Sequence, residues 1–123
     1  MSAVRISGLS VLTLYCSDLE RTLKFYLDVL NFKRDEDMPP GVLLSAGDIT
    51  LYIERGRGQR KDAPGNLPEF SPCFATDSVQ TTFQEIQNQG VEIIETYQEF
   101  GPEFAMFKIA DPDGIILEFA GKP

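Results

Sequence analysis

The side chains that could carry chemistry in this chain are few, and they include no histidine. Histidine is the commonest metal ligand and the only side chain whose unperturbed pKa lies near neutral pH, so both roles are missing from this chain. Among the carboxylates, Glu118 stands between Leu117 and Phe119 in a strand-like run, where it would point away from the core. From there it could act as a general base or as a counter-charge for a cationic ligand. The alternative is a partly hydrated carboxylate that is hydrogen-bonded to Tyr52 or Ser71.

The two cysteines suggest neither a disulfide framework nor a catalytic site. Strand alternation places Cys73 on the face that carries Glu118 and Cys16 on the opposite face, so no disulfide between them is expected. A Cys73 nucleophile would lack a histidine base, which favours a structural role for this residue. Because disulfides persist in oxidising compartments, this cysteine usage favours the cytoplasm.

A basic cluster interrupts an otherwise acidic chain. The net charge of −8 at pH 7 makes nucleic acid and anionic membrane poor partners, and it would favour a cationic ligand or serve solubility alone. No signal peptide or membrane span is expected, since neither a charged-then-apolar leader nor a long apolar run is found. The basic residues suit carboxylate or phosphate recognition, although a solvated loop is the favoured interpretation. They are Arg55, Arg57, Arg60 and Lys61.

One pattern of elements occurs twice in the 123 residues: a strand, a helix with a capping-box start, and three further strands. The first helix is expected to begin at the N-cap Ser17 with Glu20 at N3, and the second at Asp77 with Gln80 in that place. We predict a single domain over residues 8–121. Its modules, 8–55 and 69–121, would be joined by a linker over 56–68, which is rich in Gly, Pro and charge.

The strands have one apolar face and one mixed face, as expected if helices cover the first and a ligand cavity the second. Asn31 and Gly90 are expected to end the two helices in the left-handed conformation. The predicted strands are Leu9–Cys16, Phe32–Glu36, Val42–Ala46, Ile49–Glu54, Phe70–Thr76, Val91–Tyr97, Phe104–Ile109 and Ile115–Ala120.

Two segments carry a resemblance to a known family. One is CSDLER at residues 16–21, followed by KFY at 24–26, and the other is DPDGIILE at 111–118. They resemble the strand-to-helix start and the closing turn and strand of the vicinal oxygen chelate superfamily. That superfamily groups glyoxalase I, fosfomycin and bleomycin resistance proteins, and extradiol dioxygenases. The resemblance spans about Leu9 to Ala120 and implies an α+β fold, in which tandem βαβββ modules form a curved mixed sheet, or cup, with helices outside.

The resemblance places the family's four metal-ligand positions at Val11, Tyr52, Ser71 and Glu118. Only Glu118 is a usual metal ligand, because valine cannot coordinate and neutral hydroxyls bind divalent ions poorly. One carboxylate does not make a stable site, so neither a metal nor another cofactor is expected.

The resemblance therefore implies a metal-free protein of the glyoxalase and bleomycin-resistance type that binds a small organic molecule in its cup, commonly as a homodimer. The alternative is a metal-independent isomerase or lyase with Glu118 as general base. A metal-dependent lactoylglutathione lyase or dioxygenase is less favoured, and an interaction module with a vestigial cup is a third possibility. The side chains expected to line the cup around Glu118 are Val11, Thr13, Tyr15, Tyr52, Ser71, Cys73, Phe104 and Met106, with Phe100 and Phe107 near its rim.

Overall fold

The structure, a computed structural model, describes residues 2–6, 8–56 and 71–123. Its first half contains β1 (Leu12–Cys16), α1 (Leu19–Lys24) with a π-helical continuation (Phe25–Val29), β2 (Lys33–Met38), β3 (Gly41–Ala46) and β4 (Ile49–Arg55). Its second half contains β5 (Cys73–Ala75), α2 (Val79–Asn88), β6 (Ile93–Glu99), β7 (Ala105–Ala110) and β8 (Ile116–Gly121). Each half forms a four-stranded mixed sheet, in the orders β1-β4-β3-β2 and β5-β8-β7-β6. The α+β fold of repeated βαβββ units is thus confirmed, whereas the curvature of a cup stays a prediction.

The two sheets repeat each other in register as well as in order. Thr13 of β1 lies opposite Tyr52 of β4, and at the equivalent place Cys73 of β5 lies opposite Glu118 of β8. Both sheets also carry an irregularity at the same point of the strand that follows the helix, in β2 and in β6. Equivalent positions in the two halves can therefore be compared directly. The predicted linker, apart from Gly56, and the basic residues Arg57, Arg60 and Lys61 lie outside the described residues.

Both predicted capping boxes are wrong by one residue. The N-cap of α1 is Asp18, whose carboxylate accepts a hydrogen bond from the Arg21 amide at 3.1 Å. The N-cap of α2 is Ser78, whose hydroxyl accepts from the Thr81 amide. In the first helix the reason is long-range, because the Ser17 hydroxyl is bonded to the second half of the chain.

The predicted helix ends are confirmed, but two strands are shorter than expected. Asn31 and Gly90 both adopt positive φ, at 60° and 75°. The strand predicted from Leu9 begins only at Leu12, which pairs with Leu51 of β4. In the second half β5 begins at Cys73, directly after Pro72, which has no amide hydrogen to donate to a sheet.

A single hydrophobic core joins the two halves behind the sheets. Phe32 of the first half packs edge-on against Phe74 of the second, with ring centroids 5.9 Å apart. Phe74 continues the contact to Phe119, which stacks on Phe107 at 4.9 Å. The core thus occupies the helix side of both sheets. We call the opposite side, which carries Thr13 and the other mixed-face residues, the open face.

Candidate functional site

The two family-like segments contact each other across the halves of the chain. Asp113, buried in the turn before β8, accepts hydrogen bonds from the amide and the hydroxyl of Ser17. Arg21 donates to the same carboxylate at 3.3 Å and to the Ser17 hydroxyl at 3.0 Å. These residues are on the helix side, so the segments that suggest the family serve to join the halves.

Asp111 forms a second junction two residues earlier. One carboxylate oxygen accepts from the Asp113 and Ile115 amides at 2.8 and 3.0 Å, and the other accepts from the fully buried Tyr26 hydroxyl at 2.9 Å. Burial raises the pKa of Asp111 above its ordinary value, against the opposing effect of these hydrogen bonds. Burial likewise raises the pKa of Tyr26 well above its ordinary value, and the Asp111 charge raises it further.

The raised pKa of Asp111 predicts how the stability of the protein depends on pH. A folded-state pKa above the unfolded one gives a contribution to folding that is fully present below about pH 3.9 and is lost as pH rises through the folded value. Asparagine in place of Asp111 keeps the shape of the side chain and cannot titrate. The free energy of unfolding of the wild type minus that of Asp111→Asn should therefore be larger at pH 4 than at pH 7. Urea denaturation at both values measures it, and a difference that is flat or larger at pH 7 would refute this role of Asp111.

On the open face of the second sheet, four polar side chains cross all four strands in one row. Cys73 and Lys108 lie opposite Glu118 on either side, and Glu95 lies opposite Lys108. We call these four residues the charged row. Residues paired in this way have Cβ atoms about 5 Å apart, so Glu118 is within reach of both neighbours. Leu117 and Phe119, on either side of Glu118 in β8, are buried in the core. Glu118 therefore lies on the open face, where the sequence predicts it.

The two carboxylates of the charged row differ in their partners. The Lys108 ammonium binds Glu95 at 3.1 Å and is the more buried partner of that ion pair. In the part of the chain that the structure describes, the Glu118 carboxylate has neither a hydrogen bond nor an ion pair. Partial burial raises the pKa of the Cys73 thiol, and the Glu118 charge raises it further, so Cys73 is a weak nucleophile at neutral pH.

The hydrogen bonds suggested between Glu118 and two hydroxyls do not form. The Tyr52 hydroxyl donates to the Met38 carbonyl at 2.8 Å, and the Ser71 hydroxyl donates to the Ile116 carbonyl at 2.7 Å. Each hydroxyl satisfies a backbone acceptor of its own half instead. This leaves Glu118 available to a ligand.

The four positions at which the family resemblance would place metal ligands do not suit a divalent cation here. Val11 has no donor atom, and the hydroxyl protons of Tyr52 and Ser71 are directed at backbone carbonyls. Glu118 is the one anionic donor among these four. Among the described residues, no group of three His, Cys, Asp or Glu side chains is arranged to hold a metal ion.

The other side chains expected around the cavity divide between the open face and the core. Thr13 and Tyr15 of β1 are exposed, as is Val11 just before it, and Cys16 on the opposite face is buried. Both cysteines are free, as expected. Phe107, expected near the rim, is fully buried in the core. Phe104 and Met106 precede Lys108 at alternate positions, which places them on its face.

Sequence reasoning missed Lys108 and Glu95. A signal for Lys108 was present, since alternation from Met106 puts it on the open face. The pairing of Glu95 with Lys108 depends on an irregular register between β6 and β7, for which the sequence offers no signal.

Comparison with known proteins decides the family. The model of the Glyoxalase/Bleomycin resistance protein/Dioxygenase superfamily matches residues 8–119. The chain belongs to this superfamily. A protein named glutathione transferase FosA, from Serratia marcescens, is 24% identical over 115 residues, covering 92% of this chain and 79% of that protein.

Two solved structures share the fold of this chain. The lactoylglutathione lyase of Agrobacterium tumefaciens matches with a TM-score of 0.73 at 21% identity, covering 94% of this chain and 93% of that one. An integron cassette protein from the mobile metagenome of V. Cholerae matches with a TM-score of 0.72 at 25% identity, covering 97% and 98%. Superfamily membership thus agrees with the repeated βαβββ fold. No helix among the described residues is long and apolar enough to cross a membrane.

Proposed function

We propose that this superfamily member binds a small organic molecule on the open face of its sheets, without a metal ion, and that Glu118 is the central contact. The observation that carries the proposal is that the Glu118 carboxylate has no hydrogen bond or ion pair among the described residues, while the neighbouring Lys108 is already paired with Glu95. A carboxylate on a sheet face needs a partner or water. A ligand that donates a hydrogen bond or carries a positive charge would supply that partner.

The side chains at the four expected metal-ligand positions support a proposal without a metal ion. One carboxylate and two hydroxyls that already bond to carbonyls are too few and too neutral to compete for zinc, manganese or nickel. Metal analysis of the purified protein tests this part. Stoichiometric metal that is lost in Glu118→Ala would overturn it.

The names of two similar proteins guide the choice of compounds. The Serratia protein is named a glutathione transferase and the Agrobacterium protein a lactoylglutathione lyase, so glutathione and its conjugates belong in the screen with antibiotics and organic amines. A compound that binds the folded state raises the melting temperature by mass action. We expect at least one class to do so in the presence of EDTA. If none does, the cup is vestigial and the protein is an interaction module.

Glu118→Gln locates the binding site of any compound found. The substitution keeps the shape and removes the charge, and it should abolish or strongly reduce the shift in melting temperature. Glu85→Gln is the matched control, because Glu85 is exposed on α2 at the helix side and its loss changes the net charge equally. A shift that both variants keep would place the ligand elsewhere.

A second candidate function is a metal-independent isomerase or lyase with Glu118 as general base. The observation that favours it is again the Glu118 carboxylate, which can accept a proton without first breaking a hydrogen bond to any described residue. Turnover of a bound compound that disappears in Glu118→Gln while binding persists would establish it. Unchanged turnover in that variant would exclude Glu118 as the base.

We also propose that the protein is a homodimer, with the segment before β1 lying against a second copy. Val4, Ile6 and Leu9 are 75%, 86% and 79% exposed, far more than isolated apolar side chains of a monomer need be. Because β4 begins at Ile49, this segment has no strand of its own sheet to pair with. Burial in a dimer would remove this apolar surface from water.

The dimer predicts that removal of residues 2–9 weakens association. Light scattering during size exclusion should give twice the mass of the chain for the wild type and a single mass for the shortened chain at the same concentration. Val4→Ser with Ile6→Ser is a milder variant that tests the apolar contacts alone. A wild-type protein that is monomeric at micromolar concentration would contradict the proposal.

A cytoplasmic location is proposed as well, supported by the free thiols of Cys16 and Cys73.

A further inference from the structure

Next to the charged row, the open face of the second sheet has a row of small and flexible side chains. Ala75 lies opposite Ala120, and Ala120 lies opposite Met106. We call these three residues the alanine row. Each lies two positions along its strand from a member of the charged row, a distance of about 7 Å. Since alanines project one methyl group, the sheet surface beside Glu118 is low, with Met106 as an adaptable edge.

The first sheet shows that this low surface is not imposed by the fold. The equivalent row there consists of Tyr15, Glu54 and Gly41. The Tyr52 ring lies over Gly41 so closely that an added Cβ would be 2.5 Å from its Cζ atom. The first sheet therefore fills this space with its own tyrosines. The second sheet leaves this space open beside the Glu118 carboxylate.

An aromatic pair borders the alanine row on the side away from Glu118. Phe100 and Phe104 are 58% and 45% exposed, and their ring centroids are 6.1 Å apart at 48°. The Phe100 amide donates to the Phe104 carbonyl at 2.7 Å, which fixes the loop between β6 and β7 at its base. Alternation through Met106 places Phe104 on the open face. Exposed aromatic rings held in this way offer a stacking surface.

From this arrangement we infer that the ligand is an organic cation with a flat apolar body. Its ammonium or amidinium group would bind Glu118, its body would lie on the alanine row, and its ring would stack against Phe104. Phe104 is four positions along the strand from Lys108, which lies opposite Glu118, so strand spacing sets their backbone separation at about 13 Å, and the two side chains can approach the ligand from either end. The inference rests on the proposed function and adds the chemical class of the ligand and its direction along β7 and β8. Pairing of Lys108 with Glu95 leaves Glu118 as the charge that the ligand meets.

Four probe compounds that differ by one feature each test the inference. They are 4-phenylbutylamine, butylamine without the ring, 4-phenylbutanol without the charge, and 4-phenylbutyrate with the opposite charge. Titration of the full chain followed by amide NMR shifts gives both affinity and location. We expect 4-phenylbutylamine to bind at least about fivefold more tightly than the other three, because a charge-assisted hydrogen bond and the burial of a phenyl group each contribute this much or more. The amides of Glu118, Ala120, Met106 and Phe104 should shift.

Substitutions assign the two ends of the probe. Glu118→Gln should weaken 4-phenylbutylamine about tenfold, as expected for loss of a charge-assisted hydrogen bond. Phe104→Leu, which keeps apolar bulk without a ring, should weaken it about threefold and leave butylamine unchanged. Glu85→Gln is the charge-matched control and should stay within twofold. The NMR spectra also report whether each variant folds.

The outcomes separate this inference from the proposed function. If 4-phenylbutanol or 4-phenylbutyrate binds as tightly as the amine, or if Phe104→Leu has no effect, the ligand class is wrong. Glutathione or another screened compound that shifts the charged-row amides would still support an open-face site in that case. If no compound of any class shifts those amides, both proposals fail. A Phe104→Leu variant that loses only self-association would show that a second copy covers the aromatic pair, which also overturns the inference.

Discussion

Replacement of Asp111 by alanine is expected to lower the free energy of unfolding by about 2 to 4 kcal/mol. The change leaves the Asp113 and Ile115 amides and the buried Tyr26 hydroxyl without an acceptor, and each unsatisfied buried donor costs about 1 to 3 kcal/mol. Part of this loss is offset, because burial of the carboxylate is itself unfavourable, as its raised pKa shows. Urea denaturation at pH 7 gives the value.

Two matched variants separate this network from the loss of any aspartate. Asp111→Asn keeps the acceptor for the two amides and should cost clearly less than the alanine change. Asp77→Ala removes an exposed aspartate at the start of α2, which is capped by Ser78, and should change stability by less than about 0.5 kcal/mol. If Asp111→Ala were as mild as Asp77→Ala, the junction between the halves would not depend on this carboxylate.

The second large effect is expected from reversing the charge at the centre of the charged row. Glu118→Lys places two ammonium groups opposite each other, since Lys108 is its neighbour across β7 and β8. A cationic ligand would lose its counter-charge and meet repulsion, and we expect its affinity to fall by more than about 100-fold, which equals about 2.7 kcal/mol. Stability should change far less, because Glu118 makes no ion pair with a described residue that the change could break.

Glu85→Lys is the control for the general electrostatic field of the protein. It changes the net charge by the same amount at the helix side and should weaken the cation only slightly, and less at higher salt. Isothermal titration calorimetry of both variants measures the difference. Equal effects of the two substitutions would show that the overall charge, and no contact with Glu118, governs binding.

Local and periodic features of the structure were accessible from the sequence. The alternation of Leu117, Glu118 and Phe119 predicted which side of β8 faces the core. The repeated order of elements predicted two βαβββ units, and the structure gives each unit a four-stranded sheet of its own where one curved sheet was expected. Asn31 and Gly90 predicted the helix ends because a left-handed residue is a local requirement.

Long-range contacts were beyond the reach of sequence patterns. Ser17 has the local signature of an N-cap, yet its hydroxyl binds Asp113 in the other half, and Asp18 caps the helix. The sequence suggests a hydrogen bond between the Tyr52 hydroxyl and Glu118, but the hairpin between β2 and β3 places the Met38 carbonyl within reach, and the hydroxyl donates to it instead. Such competition between partners is decided by tertiary distance, which spacing along the chain does not reveal.

The measurement that tests the central claim most directly is an amide NMR titration of EDTA-treated protein with a compound from the ligand screen. Binding on the open face without metal predicts shifts at Glu95, Lys108 and Glu118 that saturate with the compound and are unchanged after chelation. Shifts that vanish on chelation and return with zinc, nickel or manganese would contradict the metal-free site. Shifts confined to the helix side would contradict the charged row as the place of binding.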